Sequence, residues 1–213
     1  TSPFSNKLKL ALYNQAIVLS TSYNLFMKII ILSAIEPEIR SLDTEYEIVL
    51  TGVGKVNAAL SAFKTIRERK PDLIINFGTA GSLKKNVSGL VDCKYFVQRD
   101  MDSRPLGAEL GQTPFETDPP RIIETPNHPI NTINMNLVCA TGDSFVQSEI
   151  GLKADVVDME AYAIAKVCYL ESIPFACFKF ISDFADNSAA NDFSENVKSA
   201  GKIFSEYLSK QLI

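Results

Sequence analysis

From Met27 onward the chain alternates short β-branched apolar runs with longer segments of helical period, and few folds accommodate that alternation. It is the pattern of an α/β domain built on a largely parallel sheet. Lys28–Leu32 is apolar at every position after its first, as a strand covered on both faces requires. Glu36–Leu42 reads as a short helix, with Pro37 at a position where a missing N–H costs nothing. Ile48–Thr51 reads as the next strand. Val56–Arg69 follows as a helix whose apolar face is Val56, Ala59, Leu60, Phe63 and Ile66. Leu73–Phe77 is a strand that runs into Gly78-Thr79-Ala80-Gly81. The stretch from Gln98 to Pro129 is loop-like, rich in Pro, Gly and charge. Leu137–Ala140 and Val156–Val157 are expected strands, Met159–Leu170 a helix, and Phe175–Ile181 a strand. A last helix is expected from Asp192, with Glu195 completing a capping box and a stripe of Phe193, Val197, Ala200, Phe204, Tyr207 and Leu208 against the sheet.

These segments define one expected domain, residues 27–213, preceded by an extension (1–26) to which the sequence assigns no role. Lys7 and Lys9 before Leu10–Leu12 look like the start of a secretory leader, but Asn14 and Gln15 interrupt its apolar part. A cytoplasmic location is therefore expected. No stretch reaches the ~18 uninterrupted apolar residues of a membrane span.

Charge and composition narrow the function. Lys and Arg number 21 against 25 Asp and Glu, a net charge of −4, so no basic field attracts nucleic acid or anionic lipid. The 4 cysteines form no CxxC pair and His128 is the only histidine, which argues against a zinc site or a disulfide scaffold. No metal or cofactor is expected, and any proton chemistry falls to carboxylates. Cys168 and Cys177 read as core residues, and His128, between Asn127 and Pro129, as a loop residue.

Several short motifs invite a chemical reading. Gly52-Val53-Gly54-Lys55 fails as a phosphate loop, because Val49 and Val56 stand where Gly and Ser or Thr are needed. It fails as a dinucleotide fingerprint because Asn57 replaces the third Gly. What remains is a tight strand-to-helix turn at a sheet edge where ligand clefts form. Gly78-Thr79-Ala80-Gly81 lets backbone approach a ligand closely and adds a hydroxyl. In Val157-Asp158-Met159-Glu160, helix capping explains Asp158 well, and dipole compensation explains Glu160 only in part; a carboxylate at a strand end can also take two neighbouring hydroxyls. Asp183, just beyond an apolar strand, is placed where desolvation raises a carboxyl's pKa and makes it a general acid. Glu38, near the amino end of a short helix, is favoured as an anion and suits a base.

Taken in order, Met27-Lys28-Ile29-Ile30-Ile31-Leu32-Ser33-Ala34-Ile35-Glu36-Pro37-Glu38, the Thr51–Ala59 turn, Ile75–Gly81, Thr141–Val146, Asp158–Ala161 and Ile181–Asp186 resemble the nucleoside phosphorylase superfamily. The resemblance is nearest to its 5′-methylthioadenosine/S-adenosylhomocysteine nucleosidase branch, and the blocks span nearly everything from Met27 to Leu212. It implies a three-layer αβα sandwich with a central mixed, largely parallel sheet, and an N-glycosidase acting on a purine nucleoside in methionine salvage. It also implies a homodimer in which a neighbour's loop closes the 5′ pocket. By resemblance Glu38 activates the attacking water and Asp183 protonates the purine at N7. Met159 and Glu160 hold the ribose, Phe145 and Val146 the base, and Ser182 supports Asp183. Ala34, Thr79, Ala80 and Gly81 line the site, and Phe193 meets the 5′ substituent.

Phosphorylases of this superfamily hold phosphate with arginines near the first strand's loop and before the Gly-Thr motif. Neither neighbourhood here carries Arg or Lys, which favours hydrolysis; Arg40 lies just beyond. A phosphorylase and a non-catalytic nucleoside-binding protein are the rival readings. Leu106 and Ala108 stand where aromatics normally contact a 5′ thioalkyl group, which weakens any methylthio preference. A hairpin after Leu42 and a helix within Pro120–Asn136, both usual in the family, are not expected.

Overall fold

The computed structural model describes residues 27–147, 150–185 and 189–211, with side chains of 189–195 outside the description. Among these residues the sheet has eight strands: β1 (Ile29–Ser33), β2 (Glu47–Leu50), β3 (Leu73–Ser82), β4 (Leu90–Gln98), β5 (Ile122–Glu124), β6 (Leu137–Thr141), β7 (Val156–Asp158) and β8 (Phe175–Asp183). The helices are α1 (Glu36–Ile39), α2 (Lys55–Arg69), α3 (Ala161–Glu171) and α4 (Ala189–Ser209).

Strand β1 lies parallel between β2 and β3. Beyond β3 the pairing closes on itself: β3 with β7, β7 with β6, β6 with β4, β4 with β8, and β8 back to β3. Five strands thus form a ring, with β1–β2 extending from one side and β5 from another. Five of the eight pairings are parallel (β1β2, β1β3, β3β8, β4β6, β6β7), so the sheet is mixed and mostly parallel.

Alternate residues of the central strands serve opposite cores, as the two-residue period of a strand dictates. Ile30, Leu32 and Ile74 join α2 and α3 in one core. Ile29, Ile31, Leu73, Ile75 and Phe77 face α4 in the other, with Ile39 and Leu42 alongside. Phe77 stacks on Phe204 of α4 with ring centroids 4.1 Å apart. This is the expected three-layer αβα arrangement.

Several expected boundaries move. The first helix stops at Ile39 rather than Leu42. The third strand continues through Gly78-Thr79-Ala80-Gly81 to Ser82, so that motif is strand, not a turn after one. Helix α3 starts at Ala161, two residues late. Helix α4 starts at Ala189, which removes Asp192 as its cap. Strand β4 was not anticipated, and β5 lies inside the stretch expected to be all loop. The face of α2 is also corrected. Its buried residues are Ala58, Ala62, Thr65 and Ile66, whereas Val56, Leu60 and Phe63 are exposed, so of the expected large apolar residues only Ile66 faces the core. The described part of the α4 stripe holds, with Val197, Ala200, Phe204 and Leu208 buried and Tyr207 half-buried. No helix is assigned between Pro120 and Asn136, as expected.

Candidate active site

A cavity of about 280 Å³ opens where the ends of β1, β3, β7 and β8 meet the loops after β4 and β6. Its volume lies near the lower end of small-ligand sites, ~300–1,000 Å³. Glu38 is held on one wall, only 4% exposed. As the third residue of α1 it reaches back to accept the Ile35 N–H at 3.3 Å, half of a capping box. Its carboxylate also accepts from the Ser33 hydroxyl at 3.0 Å, the Thr79 N–H at 2.7 Å and the Thr79 hydroxyl at 2.8 Å. Four donors therefore converge on this one side chain. Strand β3 can come this close only because residue 78 is glycine: a Cβ there would lie 3.0 Å from Glu38 Oε1.

Asp183 occupies the end of β8, 6% exposed. The pairing of β8 with β3 passes from Ala80–Ile181 to Gly81–Asp183, so Ser182 is an extra residue, a bulge. Bulges of this kind re-aim the next side chain. The Ser182 hydroxyl donates to Asp183 Oδ2 at 2.8 Å and the Ala185 N–H to Oδ1 at 2.9 Å. Gly81 leaves the space: a Cβ there would sit 2.7 Å from Asp183 Oδ1. The two glycines of the Gly-Thr-Ala-Gly motif thus each admit one of the two carboxyl groups.

The acidic pair after β7 divides its labour. Asp158 caps α3, accepting the Glu160 and Ala161 N–H groups at 3.2 and 2.7 Å. It also accepts from the Thr141 hydroxyl at 2.5 Å and pairs with Lys179 at 2.8 Å. Burial alone would push Asp158 up and Lys179 down. Burial is the largest single influence on each. Their mutual attraction outweighs it, joined by the Thr141 and Ala161 hydrogen bonds to Asp158 and by Cys177, Cys139 and Glu160 around Lys179. The Asp158 carboxyl is therefore held below its ordinary value and the Lys179 ammonium above its own. Glu160 is left for the cavity. Its Oε1 accepts the Gly54 N–H at 2.9 Å. Burial, then the Asp158 carboxylate, push the Glu160 carboxyl up to about 7.

Of the residues expected at the site, Ala34, Glu38, Thr79, Ala80, Gly81, Phe145, Val146, Met159, Glu160, Ser182 and Asp183 all line this one cavity. The side chains of Asp192, Phe193 and Glu195, together with Asp186 and residues 1–26, lie outside the described residues. Sequence reasoning missed Arg99 and Ser144, which share the wall beside Phe145. The Arg99 guanidinium donates to the Ser144 hydroxyl and to the Gly142 carbonyl, each at 3.1 Å. It also missed Lys179, whose only hint was a cation inside an otherwise apolar strand. Arg40 is tied at the surface to Glu36 and is not part of the cavity lining. His128 stays in its loop, where its ring accepts the Ile130 N–H.

Residues 40–212 match the sequence signature of the Phosphorylase superfamily, and the chain belongs to that family. Solved structures agree on which part of it the chain is similar to. The 5′-methylthioadenosine/S-adenosylhomocysteine nucleosidase of Helicobacter pylori superposes with a TM-score of 0.76 at 26% identity, covering 87% of this chain and 97% of its own. That of Neisseria meningitidis, in complex with methylthio-immucillin-A, gives 0.71 at 26% identity, covering 86% and 97%. The Helicobacter pylori futalosine hydrolase, at 24% identity and a TM-score of 0.76 over 89% and 98%, shares the fold.

Proposed function

We propose that the chain is an N-glycosidase that hydrolyses a purine nucleoside, 5′-methylthioadenosine, S-adenosylhomocysteine or a related 5′-deoxyadenosine, to free adenine and a ribose derivative. The observation that carries this reading is the pair of buried carboxyl groups, Glu38 and Asp183, seated in one cavity through the same segment of β3. Their contact points on β3, Thr79 and Gly81, are two residues apart, roughly 7 Å along a strand. That places one carboxyl group toward each end of the Gly78-to-Gly81 segment, whose last three residues line the cavity.

Breaking the ribose–N9 bond puts positive charge on the sugar and leaves an electron pair on the base. Asp183 gives its proton to N7, so the base departs neutral. Glu38 takes a proton from the water that adds to C1′. Glu160, beyond the end of β7, accepts hydrogen bonds from the 2′- and 3′-hydroxyls, and the Phe145 ring packs on the base. Met159, Ala80 and Val146 complete the apolar walls. Each proton transfer of this kind is worth about 10²–10⁴ in rate.

Hydrolysis rather than phosphorolysis is supported by the position of Arg40, paired with Glu36 outside the cavity, and by Thr79, whose two donors are both taken by Glu38. A homodimer is supported by Val56, Leu60 and Phe63, an exposed apolar stripe on α2 beside the cavity residue Val53. A cytoplasmic location accords with four cysteines that are buried and free, and a role in methionine salvage follows from the proposed substrates. The deciding experiment is a panel of purine nucleosides assayed for free base with and without phosphate. Release of adenine at equal rates in both supports the reading; a strict need for phosphate, or tight binding with no base released, refutes it.

A further inference from the structure

The Gly52-Val53-Gly54-Lys55 turn, which binds no phosphate in the scheme above, joins three parts of the cavity wall. Val53 lines the cavity directly. The Gly54 N–H holds the Glu160 carboxylate at 2.9 Å. The Lys55 ammonium donates to Gln98 Oε1 at 2.9 Å and Asp100 Oδ1 at 2.5 Å, on the loop that carries Arg99. Lys55 turns its other polar group to the second loop: its N–H donates to Asp143 Oδ1 at 2.7 Å, with the ammonium 3.8 Å from Oδ2. The two loops also meet each other, where the Asp143 N–H donates to Asp100 Oδ2 at 2.9 Å.

These partners are 43 to 88 positions from Lys55 in sequence. The two loops leave the paired ends of β4 and β6, joined at their base by Gln98 opposite Thr141, and Lys55 ties them to the turn before α2. The Lys55 side chain is 17% exposed and Asp100 29%, so this pair is partly shielded from solvent screening; Asp143, 46% exposed, is less so. Without the ammonium, Asp100 and Asp143 would confront each other as like charges, and the loops would be held only by the Asp143 N–H to Asp100 and by the Arg99 bonds to Gly142 and Ser144. Arg99 and Ser144–Phe145 ride on those loops, and Lys55 itself does not line the cavity.

We propose that Lys55 is a positioning residue that sets nucleoside affinity by clamping the three loops of the binding wall, acting through Gly54 on Glu160 and through Asp100 and Asp143 on Arg99 and Phe145. The ligand's identity rests on the function proposed above; the clamp does not. It predicts a change in binding, with the proton transfers at Glu38 and Asp183 untouched.

The test compares wild type, Lys55→Met, Lys55→Arg and the double variant Lys55→Met with Asp100→Asn. Amide hydrogen exchange of the ligand-free proteins should show residues 98–101 and 142–147 opening faster in Lys55→Met, with β1 and β3 unchanged. Lys55→Arg should restore protection, and Asp100→Asn should recover part of it by removing the repulsion. In the nucleosidase assay, KM should rise about tenfold in Lys55→Met, the value of one charge-assisted hydrogen bond, with kcat within about twofold. Unchanged exchange in the two loops, faster exchange across β1 and β3 as well, or a fall in kcat at constant KM each overturns the clamp. Should wild type release base from no nucleoside, the proposed function fails, and the clamp is judged on the exchange pattern alone.

Discussion

Replacing Glu160 with Gln tests whether this carboxylate is kept for ligand at the expense of the fold. Glu160 is 7% exposed and its carboxyl is pushed up to about 7 from an ordinary value of 4.5, first by burial and then by Asp158. Below about pH 4.5 the folded and unfolded chains both hold the proton, and the shift has no effect. Between 4.5 and 7 the unfolded chain releases it while the folded one keeps it, so stability falls as pH rises. Above 7 the full effect is present. A shift of about 2.5 units at 1.36 kcal/mol each is on the order of 3 kcal/mol. Gln carries no charge and can still accept the Gly54 N–H, so Glu160→Gln should be insensitive to this change. Urea unfolding of both proteins at pH 5 and pH 8 gives the comparison. The variant should gain on the order of 3 kcal/mol over wild type between the two, while losing most of its kcat/KM. In wild type, kcat/KM should itself fall as pH drops through about 7, because a protonated Glu160 accepts the ribose hydroxyls poorly. If the two proteins lose stability in parallel from pH 5 to pH 8, Glu160 is not the strained group described here.

Asp183→Asn should lower kcat by about 10²–10⁴ while leaving circular dichroism and melting temperature near wild type, and an unchanged turnover number excludes it as the acid. Gly81→Ala should reduce turnover by displacing Asp183, whose Oδ1 would stand 2.7 Å from the new methyl; a crystal structure with Asp183 in its original position and full activity would contradict this. Lys179→Met strands the Asp158 carboxylate in the interior and should cost about 3–5 kcal/mol in chemical denaturation. Leu60→Glu places a charge in the exposed stripe of α2 and should convert the proposed dimer to monomers in sedimentation velocity; an unaltered species would locate the interface elsewhere.

What the sequence revealed and what it hid divide along physical lines. The buried strands β1, β3 and β8 were legible because both their faces need apolar cover, which leaves continuous runs. The hold of Asp158 on the start of α3 was legible, since a cap is a local interaction. Strand β4 was not legible because Asp92 and Lys94 interrupt its pattern. Asp92 is fully buried, yet it is satisfied by the Met135 and Asn136 N–H groups and the Asn131 side chain, about forty residues away. Lys179 was opaque for the same reason: its partner Asp158 lies on another strand. The large residues of α2 misled because period alone does not say which apolar face is covered.

The same reasoning explains why this site is assembled from polar groups that local sequence patterns do not predict. Within the five-strand ring, residues of opposed strands point toward one another, so a buried carboxylate such as Asp158 can be neutralised by a cation from across the ring. Asp158 is then free to hold both the start of α3 and the Thr141 hydroxyl. That fixes Glu160 at the cavity edge with only the Gly54 N–H as its hydrogen-bonded neighbour among the described residues. A carboxylate so sparsely satisfied and so well buried is poorly solvated by protein, and two adjacent ligand hydroxyls are what would complete its coordination. The elevated proton affinity of Glu160 and its proposed affinity for a ribose diol are thus two expressions of one deficit.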